Sequence, residues 1–215
     1  MKSFVVFGLG RFGKAVAEKL IDVGADVMVV DNDPDVIEQF ADRATSAIVA
    51  ELTDPEAIKA TGIENIDCAI VAMGTSLEAS IMCVMVSKEC GIPFVAAKAG
   101  SERAGDILRK VGADQVIFPE EESGFRTARS LMSDSFLDYF ELSSELCIVE
   151  MKPKEEWLGK SLRELNLRKR YGANVIAIRK GTLSDSIDPD AKMDASGTLL
   201  LLMRKSKADQ LDDEN

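Results

Sequence analysis

The chain contains no histidine, and with it go the commonest general base and the commonest nitrogen ligand for a metal. Any catalytic scheme would have to run on Asp, Glu, Lys, Tyr or Cys. Cysteine is scarce too: Cys68, Cys83, Cys90 and Cys147 form no C-x-x-C pair, and each stands in an apolar context. That pattern predicts reduced, buried thiols rather than a disulfide framework. No apolar run is long. The longest stretch without a charge is the ten residues 68–77, and a membrane-spanning helix needs about twenty. The opening MKSFVVFGLG has the hydropathy of a signal peptide, but Arg11 and Lys14 interrupt it and no small-residue cleavage site follows. A cytoplasmic protein is the expectation. A basic stripe is missing as well. With 26 basic against 37 acidic residues the net charge is −11, a poor match for nucleic acid. Hydrophobic residues at 46% and charged residues at 29% exclude disorder and fibre.

What is present is a regular alternation of short apolar runs and amphipathic stretches. Runs at 3–7 (SFVVF), 26–30 (DVMVV), 46–50 (SAIVA), 68–73 (CAIVAM), 94–99 (FVAAKA) and 115–118 (QVIF) read as strands. Each is followed by a helical pattern, such as 12–23 and 34–41, and Pro55 opens the third helix where a missing N–H does no harm. Continuous β-branched runs mean strands covered on both faces, hence a parallel sheet. The fold class is therefore α/β, a doubly wound parallel sheet, over about residues 1–122.

Near residue 135 the pattern changes. Four of the twelve aromatics, Phe125, Phe136, Tyr139 and Phe140, fall within sixteen residues. The i, i+3, i+4 spacing of the last three predicts a helical apolar face within a 123–143 linker. Such a face would cap the first domain's core or make a subunit contact. Apolar runs at 146–151, 174–178 and 198–203, with a helical stretch at 161–168, predict a small α+β domain over 144–206. The acidic tail 207–215 reads as frayed.

Gly8-Leu9-Gly10-Arg11-Phe12-Gly13 is a G-x-G-x-x-G placed between the first strand and the first helix, the context the motif requires. Gly8 permits the tight turn, Gly10 the approach of a pyrophosphate, and Gly13 close helix–sheet packing, the signature of a Rossmann sheet. Free N–H groups at the helix start would hold the anion. Asp31 ends the second strand eighteen residues after Gly13, where a carboxylate accepts from both ribose hydroxyls and repels a 2′-phosphate. These residues indicate adenosine plus phosphates and do not by themselves specify hydride transfer. Arg11 is either an exposed helix-start residue or a contact to a terminal phosphate. Glu51 is either a solvated loop acid or an acceptor for the adenine amino group. Met73, Gly74 and Thr75, with Lys98 and Ala99, stand at the carboxyl edge of the sheet, where ligands of open α/β folds sit. A lysine in FVAAKA points to pairing with a phosphate or a carboxylate. Glu120, opening the last helix of the domain, either compensates the dipole or faces a ligand or cation. An oxidoreductase remains the alternative, weakened by the missing histidine and a second domain of only about seventy residues.

GLGRFG, VVDNDP, IVAMGTSLEAS and GADQVIFPEEESG together resemble the cytoplasmic RCK (regulator of potassium conductance) subunits of Ktr- and Trk-type potassium uptake systems. WLGKSLRELNLRKRYGANVIAIRKG is similar to their C-terminal TrkA-C module. The resemblance implies a non-enzymatic subunit in a dimer or octameric ring. That ring would bind ATP, ADP or NAD(H) and gate a separate membrane channel from its inner face. It implies a nucleotide site formed by Gly8, Gly10, Arg11, Phe12, Gly13, Asp31, Asn32, Asp33, Glu51, Leu52, Met73, Gly74, Thr75, Lys98, Ala99 and Glu120. Arg11 and Glu120 would act near the terminal phosphate, Glu120 beside a divalent cation or sodium. It also implies a cyclic dinucleotide on the C-terminal domain, with residues 175–179 contributing apolar contacts and one arginine.

Overall fold

A computed structural model of the chain describes residues 2–132 and 136–213. It forms two units, divided between Glu120 and Glu121.

The first unit holds β1 (Ser3–Phe7), α1 (Arg11–Asp22), β2 (Asp26–Asp31), α2 (Pro34–Glu38), β3 (Ser46–Val49) and α3 (Pro55–Lys59). It continues through β4 (Cys68–Val71), α4 (Leu77–Glu89), β5 (Phe94–Lys98), α5 (Glu102–Lys110) and β6 (Gln115–Ile117). The strands form one six-stranded sheet in the order β3-β2-β1-β4-β5-β6, every pair parallel. Alternate residues of each strand feed alternate faces. Val5 and Phe7 join Val71, Val84, Val95 and Leu108 in one core, while Val6 joins Leu9, Val27, Val29 and Phe40 in another. This is why the central strands read as unbroken apolar runs: neither of their faces meets water. The order reverses between β1 and β4, and the crevice beyond their carboxyl ends is where such sheets take ligands.

α6 (Pro119–Met132) leads into β7 (Phe136–Glu141), β8 (Leu146–Met151), a single 3₁₀ turn ending at Trp157, α7 (Leu162–Leu165) and α8 (Leu167–Tyr171). β9 (Asn174–Lys180), β10 (Thr182–Ser184), β11 (Thr198–Arg204) and α9 (Lys205–Asp213) complete the second unit. Its five strands pair antiparallel in the order β10-β9-β11-β8-β7. One face is covered: Leu199, Leu201 and Met203 pack with Val149, Trp157, Leu165, Tyr171 and Leu211 in a single core.

Three expectations are corrected here. Phe136, Tyr139 and Phe140 stand on a strand, not a helix. The ladder between β7 and β8 slips between Phe136 and Asp138. The extra residue of such a bulge puts two positions three apart on the same face. Phe136 and Tyr139 are therefore core residues, at 4% and 2% exposure, and Phe140 alone of the three faces out at 41%. The helix read at 161–168 is two short helices, broken at Asn166, whose φ of 45° is left-handed. Finally, the tail is not frayed through residue 213: α9 buries Ala208 and Leu211 completely.

Candidate nucleotide site

Helix α1 begins without a cap. Its N-cap residue is Gly10, no side chain accepts from its first turn, and that turn carries no acid. The neighbouring helices differ: Asp33, Asp54, Ser76 and Ser101 each accept a backbone N–H at the start of α2, α3, α4 and α5. A twelve-residue helix left with free donors and a positive dipole end is built to receive an anion. The three loop glycines have separate reasons. Gly8 has φ +85° and lies against the Met73 side chain, so a Cβ there would meet sulfur at 2.7 Å. A Cβ on Gly13 would come within 1.9 Å of the Gly8 carbonyl oxygen. Around Gly10 nothing lies within 4 Å of the added atom, which leaves room for a phosphate group.

Asp31, at the end of β2, faces this loop. The Leu9 N–H donates to its Oδ2 at 2.5 Å and the Asp33 N–H to its Oδ1 at 3.0 Å. The carboxylate is thus aimed by the loop it serves, and each oxygen keeps a lone pair for a ribose hydroxyl. Asn32 is exposed, and Asp33 is committed to capping α2 through the Asp35 N–H. Glu51 is exposed, and Thr53 donates to it from both N–H and Oγ1, which holds its carboxyl below the usual value and fixes its direction. Leu52 and Ala99 have side chains in the core and offer a ligand their backbone only. Gly74 and Thr75 are exposed in the turn after β4.

Lys98 closes the other side. Its Nζ lies 2.5 Å from Glu120 Oε1, 5.8 Å from the Phe12 ring centroid, and against Gly74. The lysine beside it, and after that the charge of Arg11, hold the Glu120 carboxyl below its usual value. The sequence left Lys98 open between a phosphate and a carboxylate partner; the structure supplies a carboxylate. Nothing in the spacing could pair residues 22 apart, so this ion pair was not legible beforehand. Among the described residues no group of three or more His, Cys, Asp or Glu gathers to hold a metal. Glu120, 70% exposed, fits a cation only as a single carboxylate donor, with further ligands drawn from a bound phosphate. The thiols divide: Cys68, Cys83 and Cys147 are buried, and Cys90 is partly exposed.

Residues 4–119 match the TrkA-N domain and residues 146–214 match the TrkA-C domain. The chain belongs to the RCK family. Within that family it is a Ktr-type protein, 37% identical over 180 residues to Ktr system potassium uptake protein C of Bacillus subtilis, covering 84% of this chain and 81% of the relative. It is 33% identical over 214 residues to Ktr system potassium uptake protein A of the same organism, covering 99% and 96%. Among solved structures, the GsuK channel bound to NAD superposes with a TM-score of 0.67 at 17% identity, over 96% of this chain. This RCK chain spans 38% of that channel's length, and the likeness is one of fold. Membership places the chain among regulatory subunits of potassium uptake, not among dehydrogenases.

Proposed function

We propose that this RCK subunit binds an adenine nucleotide in its first unit and converts the nucleotide's identity into a bias on a separate membrane potassium transporter. The uncapped start of α1 carries the reading. It leaves free donors and open space at Gly10, beside the pre-aimed carboxylate of Asp31, at the reversal point of the sheet. Gly8, Gly10 and Gly13 form the cradle. Asp31 takes the ribose, Glu51 the adenine amino group, and Lys98 with Arg11 the terminal phosphates. Glu120 would hold a divalent cation or sodium against those phosphates, where the ion supplies charge neutralisation. ATP, ADP and NAD(H) all fit this donor set, and the Asp31 carboxylate at the end of β2 disfavours NADP. A separate membrane partner fits the likeness to potassium uptake proteins; no helix among the described residues of this chain is long and apolar enough to cross a membrane. In this reading the subunit works at the inner, cytoplasmic face.

Self-association would give this reading its mechanical output. Phe140 and Leu146 are 41% and 38% exposed on the open face of the second sheet, with half-buried Ile148 and Leu202 between them. A dimer, and a ring of dimers up to an octamer, would cover that surface. A nucleotide moves such an assembly only if it binds two of its shapes unequally, typically by about 1–3 kcal/mol. Potassium flux into liposomes holding the membrane partner, with the purified subunit added, tests the reading. ATP and ADP should give different flux; equal flux across a range of cation concentrations would reject it.

A second reading concerns the second unit alone. A groove of about 200 Å³ is lined by Asn166, Arg168, Asn174 and Val175, a polar wall with an apolar edge suited to a cyclic dinucleotide. Arg179 is already engaged with Glu150 at 2.8 Å, so Arg168 is the arginine for this ligand. Calorimetry with cyclic di-AMP should show binding that Arg168→Ala removes.

A further inference from the structure

The Lys98–Glu120 pair is lopsided. The lysine side chain is 13% exposed and the glutamate 70%. Lys98 is held in the cleft wall, its ammonium group facing the Phe12 ring and its methylene carbons lying over Gly74. Glu120 stands in water, where turning a carboxylate away costs little. Phe12 belongs to the first turn of α1, so this ammonium group lies beside a side chain of the helix start that would receive the phosphates. A phosphate in the cradle and the carboxylate of Glu120 compete for one cation.

We propose that Lys98 is the exchange point of the cleft: it neutralises Glu120 in the empty protein, passes to a nucleotide phosphate on binding, and so releases Glu120 to take a cation beside that phosphate. The inference rests on the nucleotide reading above and adds an order of events to it. Among the described residues no group of three or more His, Cys, Asp or Glu is placed to hold a metal, so Glu120 depends on the phosphate oxygens for a cation's remaining ligands. Nucleotide precedes cation. Arg11, whose charge also reaches Glu120, raises the local positive potential that the third phosphate meets. Lys98 is thereby the residue that sets how strongly an extra phosphate is favoured when no cation is present.

Competition and simple repulsion are separable by calorimetry of ATP binding to the full chain in EDTA. The proteins are wild type, Glu120→Gln, Lys98→Gln and the double variant. Exchange predicts that Glu120→Gln tightens ATP by about fivefold in the wild-type background, the worth of one such ion pair. In the Lys98→Gln background it should change affinity by less than about twofold, since there is no longer a lysine to release. Repulsion between carboxylate and phosphate predicts the same gain in both backgrounds, and that result overturns the proposal. Lys98→Met serves as the second background should the glutamine variant fold poorly, as judged by circular dichroism. Manganese uptake, followed by electron paramagnetic resonance, reads the order directly. Wild type should bind Mn²⁺ at this site only with nucleotide present, and equal affinity without it rejects the order. Absence of ATP binding to wild type in either EDTA or Mg²⁺ would instead refute the nucleotide reading itself, so the two failures are told apart.

Discussion

The two units solve opposite problems. In the first, a parallel sheet is covered on both faces, and what it leaves unfinished is backbone: the free donors at the start of α1 beyond the carboxyl ends of β1 and β4. In the second, an antiparallel sheet is covered on one face, and what it leaves unfinished is apolar surface around Phe140 and Leu146. Unsatisfied donors call for an anion, and uncovered apolar area calls for another protein surface. In the proposed function, a signal enters through the first unit and is passed on by assembly through the second.

That contrast breaks if the units share one cooperative core. Leu201, fully buried on the central strand β11, should cost about 3–4 kcal/mol when changed to alanine, the usual loss for a buried leucine. Trp157 is the chain's single tryptophan and is also fully buried in the second core, so its fluorescence reports that unit alone. Urea titration of Leu201→Ala should move the tryptophan transition to lower denaturant while ATP affinity stays put. Nucleotide affinity falling in step with the tryptophan signal would mean that the units are not separable.

Within the first unit the glycines offer the next largest effect. Gly13→Ala forces a Cβ onto the Gly8 carbonyl oxygen, a backbone atom that cannot turn aside, and should destabilise the unit by about 2–3 kcal/mol. Gly10→Ala has open space and an ordinary φ of −64°, so stability should hold. Its methyl group occupies the room meant for phosphate, and ATP affinity should drop by about tenfold, or 1.4 kcal/mol. Unfolding curves and calorimetry on the same two proteins would check the split. A Gly13→Ala protein as stable as wild type would remove the packing role.

The same contrast explains what the sequence made legible. Doubly buried strands read as plain apolar runs, and 3–7 was recognisable as β1 to the residue because nothing competes with that pattern. The glycine loop was legible because each glycine answers a backbone need. The second unit misled where a single residue alters the period. The slip after Phe136 gives a strand the i, i+3 spacing of a helix, and left-handed Asn166 cuts one amphipathic pattern into two helices. In α9, Ala208 and Leu211 are the apolar residues of an otherwise polar sequence, and both are buried. At the site, residue types were readable but their partners were not. That Asp31 is held by Leu9 and Lys98 by Glu120 depends on how β2, β5 and α6 converge, a matter of tertiary placement.

A smaller effect sharpens the role of Asp31. Asp31→Asn keeps an oxygen for one backbone N–H but loses the charge that strengthens its bonds to the loop and the ribose. Bonds to a charged acceptor are worth roughly 1.5–3 kcal/mol, so ATP and NADH should both bind about tenfold more weakly. AMP should lose as much as ATP, because the ribose is common to all three. A loss confined to triphosphates would place Asp31 at the wrong end of the ligand.

The smallest effect compares two glutamates, one in each unit. Glu150 on β8 accepts from Arg179 at 2.8 Å and from Thr198 at 2.6 Å, with its side chain 15% exposed. The Arg179 bond above all, aided by Thr198, lowers its pKa from an ordinary value near 4.5, against the opposing effect of burial. A carboxyl lowered on folding adds stability that is complete above its unfolded value and lost as pH falls through the folded one. Glu150→Gln should therefore cost about 1 kcal/mol at pH 7, and the gap to wild type should close as pH drops below about 4.5. Glu120 has a lowered value too, set first by Lys98, but in the Lys98 exchange its partner leaves when phosphate arrives. Saturating ATP should leave the Glu150→Gln stability gap unchanged and shift that of Glu120→Gln, as read from paired urea midpoints at pH 7. If ATP shifted the Glu150 gap as much as the Glu120 gap, the second unit would be feeling the phosphates directly, and the separation of signal entry from assembly would fail.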